Sequence, residues 1–288
     1  SDELNNLGVR VSNLEKNADM VKWTGEARYR YHSERHEQDN GSVSKENTDN
    51  LQFRLYPDAE VNDHWHVKAR IDATTDMTKD ASDDDNVKLT YIYADGVYGN
   101  FETKLGKQAF FSTSDGGLVM DDYFSGAQVS FGNKLKATLE AGRFDLDRAN
   151  GAVTDASDKL KNANTDDSAA SYQGIDLAYA NGKFGFGAGY RHLNSDVFKA
   201  VKGYTTSGST SDDANIWSVG TSYKFDHNWN LAGSFAKNTE ADNYETAHNI
   251  QLDYKGAEKE NKGTWGAYAA YRYLGQNVAL APTYDTFM

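Results

Sequence analysis

The sequence of 288 residues contains no cysteine and only two prolines. The absence of cysteine excludes disulfide scaffolds, thiolate zinc sites, iron–sulfur clusters and cysteine nucleophiles. No apolar stretch approaches the roughly 20 residues that a membrane-spanning helix needs, which excludes a helical membrane protein. Basic residues are also few, with 30 Lys and Arg against 43 Asp and Glu and a net charge of −13. Such an acidic chain is a poor ligand for nucleic acid, and we expect no nucleic-acid partner.

Aromatic residues are abundant although the mean hydropathy is only −0.76. The chain has 18 Tyr, 13 Phe and 5 Trp, whereas disordered chains contain few aromatic side chains. The averages alone would describe a hydrophilic, soluble protein. The apolar residues must therefore follow a pattern that the averages hide.

The first twenty residues have the spacing of a helix. Leu4, Leu7, Val11 and Leu14 are separated by three, four and three positions, as in the seam of a coiled coil. This pattern covers about two heptads, and an isolated helix of that length is marginal in water. We therefore expect residues 1–20 to be the C-terminal end of a longer coiled-coil stalk. A short amphipathic helix that caps the domain is the alternative.

From Val21 onward apolar and polar residues alternate, which is typical of β-strands with two different faces. Such segments of about ten residues recur along the chain and predict about thirteen strands. Short turns rich in Asn, Gly and Asp alternate strictly with long polar connections. One end of the sheet is therefore expected to carry the short turns and the other end the long loops. The short turns are predicted at 62–63, 99–100, 132–133, 181–182 and 226–228, and the long connections at 38–50, 78–86, 111–122, 149–168 and 195–213.

The alternation and the aromatic residues together favour a membrane β-barrel over a soluble two-sheet sandwich, which is the alternative. Aromatic girdles, short turns at one end and long loops at the other are typical of outer-membrane barrels. In lipid, strands can satisfy their backbone groups only in a closed barrel. We therefore predict an all-β, transmembrane, antiparallel up-and-down β-barrel after the helix. Four tryptophans, each close to the start of a predicted strand, form the predicted girdle at one membrane interface: Trp23, Trp65, Trp229 and Trp265.

The predicted strand count is odd, and residues 283–288 fall in what should be a long loop. Single-chain bacterial barrels have an even number of strands, so we expect about sixteen in the complete barrel. The barrel is expected to occupy residues 21–288 without its closing strands. The sequence is accordingly expected to be incomplete at both ends.

The segment 108–126 is unusual because it alone among the connections contains an apolar cluster. Either it packs on top of the rim, or it folds into the barrel, where its apolar side chains contact the wall and its two acids project into the lumen. We favour the second interpretation, because barrels of sixteen to eighteen strands leave an aqueous channel and the predicted lumen faces contain many small residues. The candidate constriction residues are Phe110, Phe111, Leu118, Met120, Asp121 and Asp122.

Basic residues on the inner faces of the first three strands form a candidate wall opposite this segment. Opposite charges across a constriction produce a transverse field that orients dipolar solutes and sets ion preference. The alternative is that these cations pair with acids on the same faces. The basic residues are Arg28, Arg30, Arg54, Lys68 and Arg70, and the acids are Glu26, Asp58, Glu60 and Asp72.

Two parts of the sequence resemble porins. Residues 101–108 followed by 117–128 resemble the fifth strand and constriction loop of general diffusion porins. Residues 4–16 leading into 21–31 are similar to the S-layer-homology-domain porins of diderm Firmicutes, the major-porin type of Veillonella and Selenomonas. This resemblance implies a homotrimer in the bacterial outer membrane, surrounded by lipid and lipopolysaccharide. It also implies that residues 1–20 are a periplasmic helix leading from a peptidoglycan-binding domain that this sequence lacks.

The expected function is a water-filled channel for passive diffusion of ions and small hydrophilic solutes, together with a tethering role implied by the resemblance. We expect no enzymatic activity, no cofactor and no metal, since the seven histidines show no ligand spacing and no Ser, His and Asp set converges in the sequence. An outer-membrane hydrolase is the enzymatic alternative. A structural tether or adhesin whose barrel is only an anchor is the other, and a plugged lumen would favour it.

Overall fold

The computed structural model describes residues 2–18, 20–37, 40–78, 86–163, 168–206 and 211–284. Helix α1 (Asp2–Ala18) precedes the strands, and two helices, α2 (Gly151–Asn162) and α3 (Val197–Ala200), lie in connections between them. The strands of the described part are β1 (Val21–Glu37), β2 (Val43–Glu60), β3 (Trp65–Asp76), β4 (Asn86–Tyr98), β5 (Phe101–Phe111), β6 (Asp121–Gly132), β7 (Leu135–Asp145), β8 (Ala169–Asn181), β9 (Phe184–Asn194), β10 (Asp213–Lys224), β11 (Trp229–Asn238), β12 (Thr246–Tyr254) and β13 (Ala267–Leu274).

The topology is up and down, with antiparallel strands ordered from β1 to β13 as they follow in the chain. The predicted all-β class, the antiparallel topology and the N-terminal helix are confirmed. Alternating side chains carry this prediction, because a two-residue period places successive residues on opposite faces of a strand. No helix in the described ranges has both the length and the apolar character needed to cross a bilayer.

The chain divides into two compact units, Ser1–Val97 and Tyr98–Met288. In the first, β1 and β2 form a long hairpin that pairs continuously from Val21 opposite Ala59 to Glu37 opposite Val43. The predicted loop at 38–50 was therefore wrong, since residues 43–50 belong to β2. Residues 44–50 are polar on both faces, so alternation does not reveal them, and backbone pairing with β1 makes them a strand.

In the second unit, β5 to β13 pair with their sequence neighbours and present two different faces. Buried side chains such as Ala214 and Ile216 alternate with exposed ones such as Trp217 and Val219 along β10. We call the face that carries the buried side chains the inner face and the opposite one the outer face. Many large apolar side chains on the outer face are about half exposed, Phe186 at 51% and Trp217 at 57% among them.

The strict alternation of short and long connections fails between β12 and β13. The connection between β12 and β13 runs from 255 to 266, although a short turn is expected at that end of the strands. Thr264 organises it, because its hydroxyl accepts a hydrogen bond from the Glu258 amide at 2.8 Å. Trp265 therefore lies in a connection, two residues before β13, and its ring packs on Tyr254 with centroids 4.7 Å apart.

The long connections of the second unit share a hydrophobic core that polarity did not predict. Asn150 caps α2 by accepting a hydrogen bond from the Val153 amide, which starts a helix in a segment expected to be an irregular loop. The apolar side chains of α2 and α3 are buried with those of two other connections. The core residues from these elements include Leu118, Val119, Met120, Val153, Val197, Phe198, Val278 and Leu280.

Candidate functional site

The connection between β5 and β6, which we call the β5–β6 loop (residues 112–120), lies over the inner face of the second unit. Gly106 in β5 has a φ of +127°, a conformation that favours glycine. Beyond it, the Phe110 ring lies 5.3 Å from that of Phe124 and 4.6 Å from that of Tyr172, measured between centroids. Because Tyr172 belongs to β8, three strands along the sheet, the end of β5 must fold inward over the strands that follow it.

The tip of the loop is a single 3₁₀ turn, Thr113–Asp115, that is bonded to the inner face. The Ser114 amide donates to Oδ2 of Asp176 at 3.0 Å, and the Ser114 hydroxyl also donates to this carboxylate. Asp176 in turn accepts a hydrogen bond of 2.7 Å from Nη2 of Arg191. Arg191 and Asp115 are each only 1% exposed, with Nη1 and Oδ2 3.6 Å apart. The loop is thus held to β8 and β9 by a buried network of charged and polar groups.

Glycines on neighbouring strands make room for this close approach. A Cβ added at Gly187 would lie 2.5 Å from the Ser114 carbonyl oxygen, and one at Gly220 would lie 2.2 Å from the same atom. Both distances are far below van der Waals contact. These small inner-face residues were predicted to line open water, whereas the structure places the loop backbone against them.

The Asp115 carboxylate also organises the loop itself. Its Oδ1 accepts hydrogen bonds from the Ser112 hydroxyl at 2.5 Å and from the Leu118 amide at 2.9 Å. Burial raises the pKa of Asp115, and the nearby Arg191 guanidinium opposes this rise only in part. Asp115 therefore joins the turn, the rest of the loop and β9.

The segment that follows β13 holds the loop from the other side. The Ala281 amide donates to the Val119 carbonyl at 3.0 Å, and the Asp121 amide donates to the Ala281 carbonyl at 2.6 Å. A third bond of 2.9 Å joins the Thr283 amide to the Gly117 carbonyl. The loop is therefore held between the wall and this segment, which pairs with it in parallel at Met120 and Ala281.

The described residues leave cavities beside the loop, of which two border it directly. One of about 440 Å³ lies between the loop tip and the inner faces of β7 to β12. The other, of about 290 Å³, lies between Phe111 and Thr113 and the inner faces of β5 to β8. Lys136 lines both, and hydroxyl, amide and charged groups contribute to each lining. The loop therefore reduces the space above the inner face without filling it.

The candidate constriction residues fall into two groups. Phe110, Leu118 and Met120 are completely buried, in contact with the wall and with the core of the connections. Phe111 is 45% exposed, and its ring lies over Gly117. Asp121 is exposed.

Asp122 is paired with Arg148, since its carboxylate accepts a hydrogen bond of 2.7 Å from Nε of that residue. A projection of Asp121 and Asp122 into a lumen stays a prediction. The loop carboxylate that pairs with a cation on the inner face of the second unit is that of Asp115, whose partner is Arg191 of β9. Asp115 was not among the predicted residues.

The candidate basic residues belong to the first unit, and three of them have carboxylate partners there. Asp72 accepts hydrogen bonds from Nε of Arg54 at 2.9 Å and from Nη2 of Arg70 at 3.1 Å. Lys68 lies 3.1 Å from a carboxylate oxygen of Asp95. Arg28 and Arg30 are exposed on β1. Pairing, the alternative considered from the sequence, accounts for three of the five cations.

The remaining predicted sets lie on the protein surface. Trp65 and Trp229 are the first residues of β3 and β11, and Trp23 is the third residue of β1. Trp23, Trp229 and Trp265 are 61%, 41% and 64% exposed, and Trp65 is half-buried. The four seam residues of α1 are also exposed, from 44% at Val11 to 79% at Leu4.

Sequence reasoning missed Ser114, Asp115, Asp176 and Arg191, which hold the loop. One signal was available for Arg191. Strand parity places it on the inner face of β9, where it follows the row Gly185, Gly187 and Gly189 at the same two-residue spacing. A lone cation at the end of a row of glycines marks a place where another segment can approach.

No protein-family model and no curated protein sequence matches this chain. Its structure is similar to solved structures of porin variants. One is a mutant of the Rh. blastica porin, with a TM-score of 0.51 and 14% identity over 88% of this chain and 85% of that chain. A second mutant of the same porin has a TM-score of 0.52 and 13% identity, with 88% and 85% covered. A triple mutant of Rhodopseudomonas blastica porin has a TM-score of 0.52 and 12% identity, with 88% and 84% covered. At these identities the similarity establishes a porin-like fold.

Proposed function

We propose that this protein is a bacterial outer-membrane porin, a water-filled channel for passive diffusion of ions and small hydrophilic solutes. The observation that carries this proposal is the β5–β6 loop, which is bonded to Asp176 and Arg191 and still leaves cavities beside it that are lined in part by polar groups. A loop held in this way narrows a passage without closing it. The porin-like fold supports the same function.

Transport through such a channel requires no chemical step. Solutes are selected by the width of the passage and by the charges and hydrogen-bonding groups that line it. In this proposal the buried side of the loop, with Phe110 and Leu118, keeps its position constant. Asp121 and Asp122, with the basic residues of β1 to β3, supply the field that acts on ions.

A location in the outer membrane is supported by the exposed apolar side chains of the outer face. Removing such side chains from water is favourable by about 25 cal/mol for each Å² of apolar surface. The girdle tryptophans Trp23, Trp65 and Trp229 lie close to the starts of strands, where an interface with lipid headgroups suits them. In this arrangement α1 lies on the periplasmic side, next to the short turns.

The exposed seam of α1 supports a homotrimer. Leu4, Leu7 and Leu14 are 79%, 59% and 66% exposed, and a three-stranded coiled coil would bury them. The resemblance to S-layer-homology porins adds a tethering role, in which this helix connects the barrel to a peptidoglycan-binding domain. Deletion of residues 1–18 should then abolish the trimer, as measured by native mass spectrometry, and leave the strand content unchanged by circular dichroism.

Reconstitution in planar bilayers tests the channel. We expect large ohmic conductance steps, often in groups of three, while a mock preparation from cells without the gene gives none. Liposome swelling should show entry of small sugars. Properly folded protein, verified by its β-sheet circular dichroism, that neither conducts nor admits sugars would refute the channel function.

A structural anchor is the second candidate function, favoured by the hydrophobic core of the connections. Leu118, Val153 and Val278 are buried there above the inner face, and a rigid cover of this kind resists passage. The two functions differ in a single measurement. An anchor would hold peptidoglycan in sedimentation assays of the full-length protein while its liposomes stay closed to sugars and salts.

A further inference from the structure

A groove crosses the outer face of the second unit between β8 and β11. Its volume is about 380 Å³ and its lining is almost wholly apolar. Ala188 forms the floor, because it is a small residue paired with Leu177 on one side and with Val219 on the other. The remaining walls are formed by Ile175, Tyr190, Trp217 and Phe235. This apolar lining suits an aliphatic chain.

One end of the groove is aromatic and cationic. The rings of Tyr190 and Trp217 lie 4.4 Å apart between centroids, and the Tyr190 hydroxyl donates to Asn215 at 2.8 Å. Lys237 lies directly opposite Trp217 in the pairing of β10 and β11. Its side chain is exposed, and it forms no ion pair with any carboxylate in the described part of the chain. This end of the groove lies next to the long connections.

The groove contains no acid that could neutralise this cation. All lining residues other than Lys237 are uncharged. An occupant must therefore combine an apolar body, which fills the groove, with a negative group that reaches Lys237. A lysine near the membrane surface attracts anionic headgroups, and aromatic side chains occupy the same interfacial level.

We propose that this groove binds an anionic lipid of the membrane leaflet next to the long connections, with one acyl chain over Ala188 and the negative headgroup at Lys237. The proposal rests on the membrane location proposed above and adds a specific lipid site to it. Tyr190 and Trp217 stand between the chain and the headgroup, where amphipathic rings contact both. A second copy of this chain fits less well, because it would cover Lys237 with apolar surface and leave its charge without a partner.

Retention of lipid by the purified protein in detergent micelles tests the site. The protein is incubated with equal amounts of phosphatidylglycerol and phosphatidylcholine, and bound lipid is counted by native mass spectrometry. We expect phosphatidylglycerol to be retained about fivefold more than phosphatidylcholine, the preference that one lysine near a membrane surface provides. Lys237→Gln should remove this preference and leave phosphatidylcholine retention unchanged.

Two further variants test the apolar part. Ala188→Leu should fill the groove and reduce retention of both lipids severalfold. Ala127→Leu, on the same face of β6 and outside the groove, is the matched control and should retain lipid like the wild type. Equal retention of the two lipids by the wild type, or unchanged retention by Ala188→Leu, would overturn the proposal. A changed subunit number in Ala188→Leu would also overturn it, since the groove would then be an interface between copies.

Conductance of the same samples separates this proposal from the proposed function. Lys237 and Ala188 lie on the outer face, so both variants should conduct like the wild type. Channels that conduct without lipid preference would contradict only the lipid site. Protein that binds lipid as expected and never conducts would contradict only the channel.

Discussion

Oδ2 of Asp115 lies 3.6 Å from Nη1 of Arg191, and this buried ion pair joins the tip of the β5–β6 loop to β9. Asp176 completes the connection, because it accepts hydrogen bonds both from Ser114 in the loop and from Arg191. A single guanidinium thus balances carboxylates from the loop and from the wall. The loop is thus held by this cation together with the buried apolar side chains of Leu118, Val119 and Met120.

Replacing Arg191 should loosen the loop. Arg191→Met leaves Asp115 and Asp176 buried without their cation, and breaking a buried pair in this way costs about 3–5 kcal/mol. We expect a loss of this size in urea unfolding, together with noisier single-channel currents. Arg143→Met, at an exposed arginine of β7, should stay within about 0.5 kcal/mol of the wild type.

A double variant separates the charge effect from lost packing. Adding Asp115→Asn to Arg191→Met removes one of the buried carboxylates that have lost their cation, so part of the lost stability should return. If the double variant is no more stable than Arg191→Met, the charge pair does not hold the loop.

A larger side chain at an inner-face glycine beneath the loop should also displace the loop. A side chain at Gly220 would place its Cβ 2.2 Å from the Ser114 carbonyl oxygen, whereas at Gly233 the nearest atom is 3.8 Å away. The protein has no cysteine, so a single cysteine at Leu118, which is completely buried, reports loop opening by its rate of maleimide labelling. We expect Gly220→Val to raise that rate roughly tenfold, the effect of overpacking by one to two kcal/mol.

Gly233→Val is the matched control for this experiment and should label at the rate of the parent protein. Equal labelling rates in the two valine variants would show that the loop does not depend on the glycine at position 220.

The sequence predicts the strands well, but it does not predict which residues the β5–β6 loop contacts, and the reason is physical. Alternation is a local property, so the strands around Trp217 and Ile175 can be found from a few neighbouring residues. The bond between Ser114 and Asp176 joins residues 62 positions apart, and no local pattern reveals which acid meets which turn. The pairing of Met120 with Ala281 is more distant still.

Two errors have more local causes. Residues 44–50 carry polar side chains on both faces, so they have no alternation, and only their pairing with β1 makes them a strand. Trp265 has the residue type of a girdle, but the strand that follows starts two residues later than the alternation indicates. In both cases the backbone partner, which the pattern omits, decides where the strand begins.

Helix α2 should detach at acidic pH. Burial disfavours the charged form of Asp147, but hydrogen bonds from Lys161 and Ser157 outweigh this effect and hold its pKa below the ordinary value of 3.8. A lowered pKa in the folded state adds stability above the ordinary pKa, and that stability is lost as the pH falls through the folded value. Pepsin is active at such acidic pH, so the rate of pepsin cleavage within α2 measures how far this helix has detached.

We expect pepsin to cut within 151–162 increasingly as the pH decreases below about 4, and Asp147→Asn to be cut already at the upper end of that range. Asp158→Asn, on the same helix, should behave like the wild type. A pH profile that is identical in the wild type and in Asp147→Asn would contradict the role of this carboxylate.

Neutralising the candidate acids of the constriction should change ion selectivity. Asp122 is bonded to Arg148, so Asp121→Asn combined with Asp122→Asn removes two negative charges and leaves Arg148 without that partner. Both effects favour anions, and we expect the chloride-to-potassium permeability ratio to rise about two- to threefold, because water and salt screen each charge. The reversal potential under a KCl gradient measures this ratio.

Arg54→Gln combined with Arg70→Gln should move this ratio the other way, because Asp72 then loses the two cations that it binds. Glu258→Gln, in the connection before β13, is the control for a change of charge away from the loop. A reversal potential that is the same in all of these variants would remove both sets of residues from the ion path.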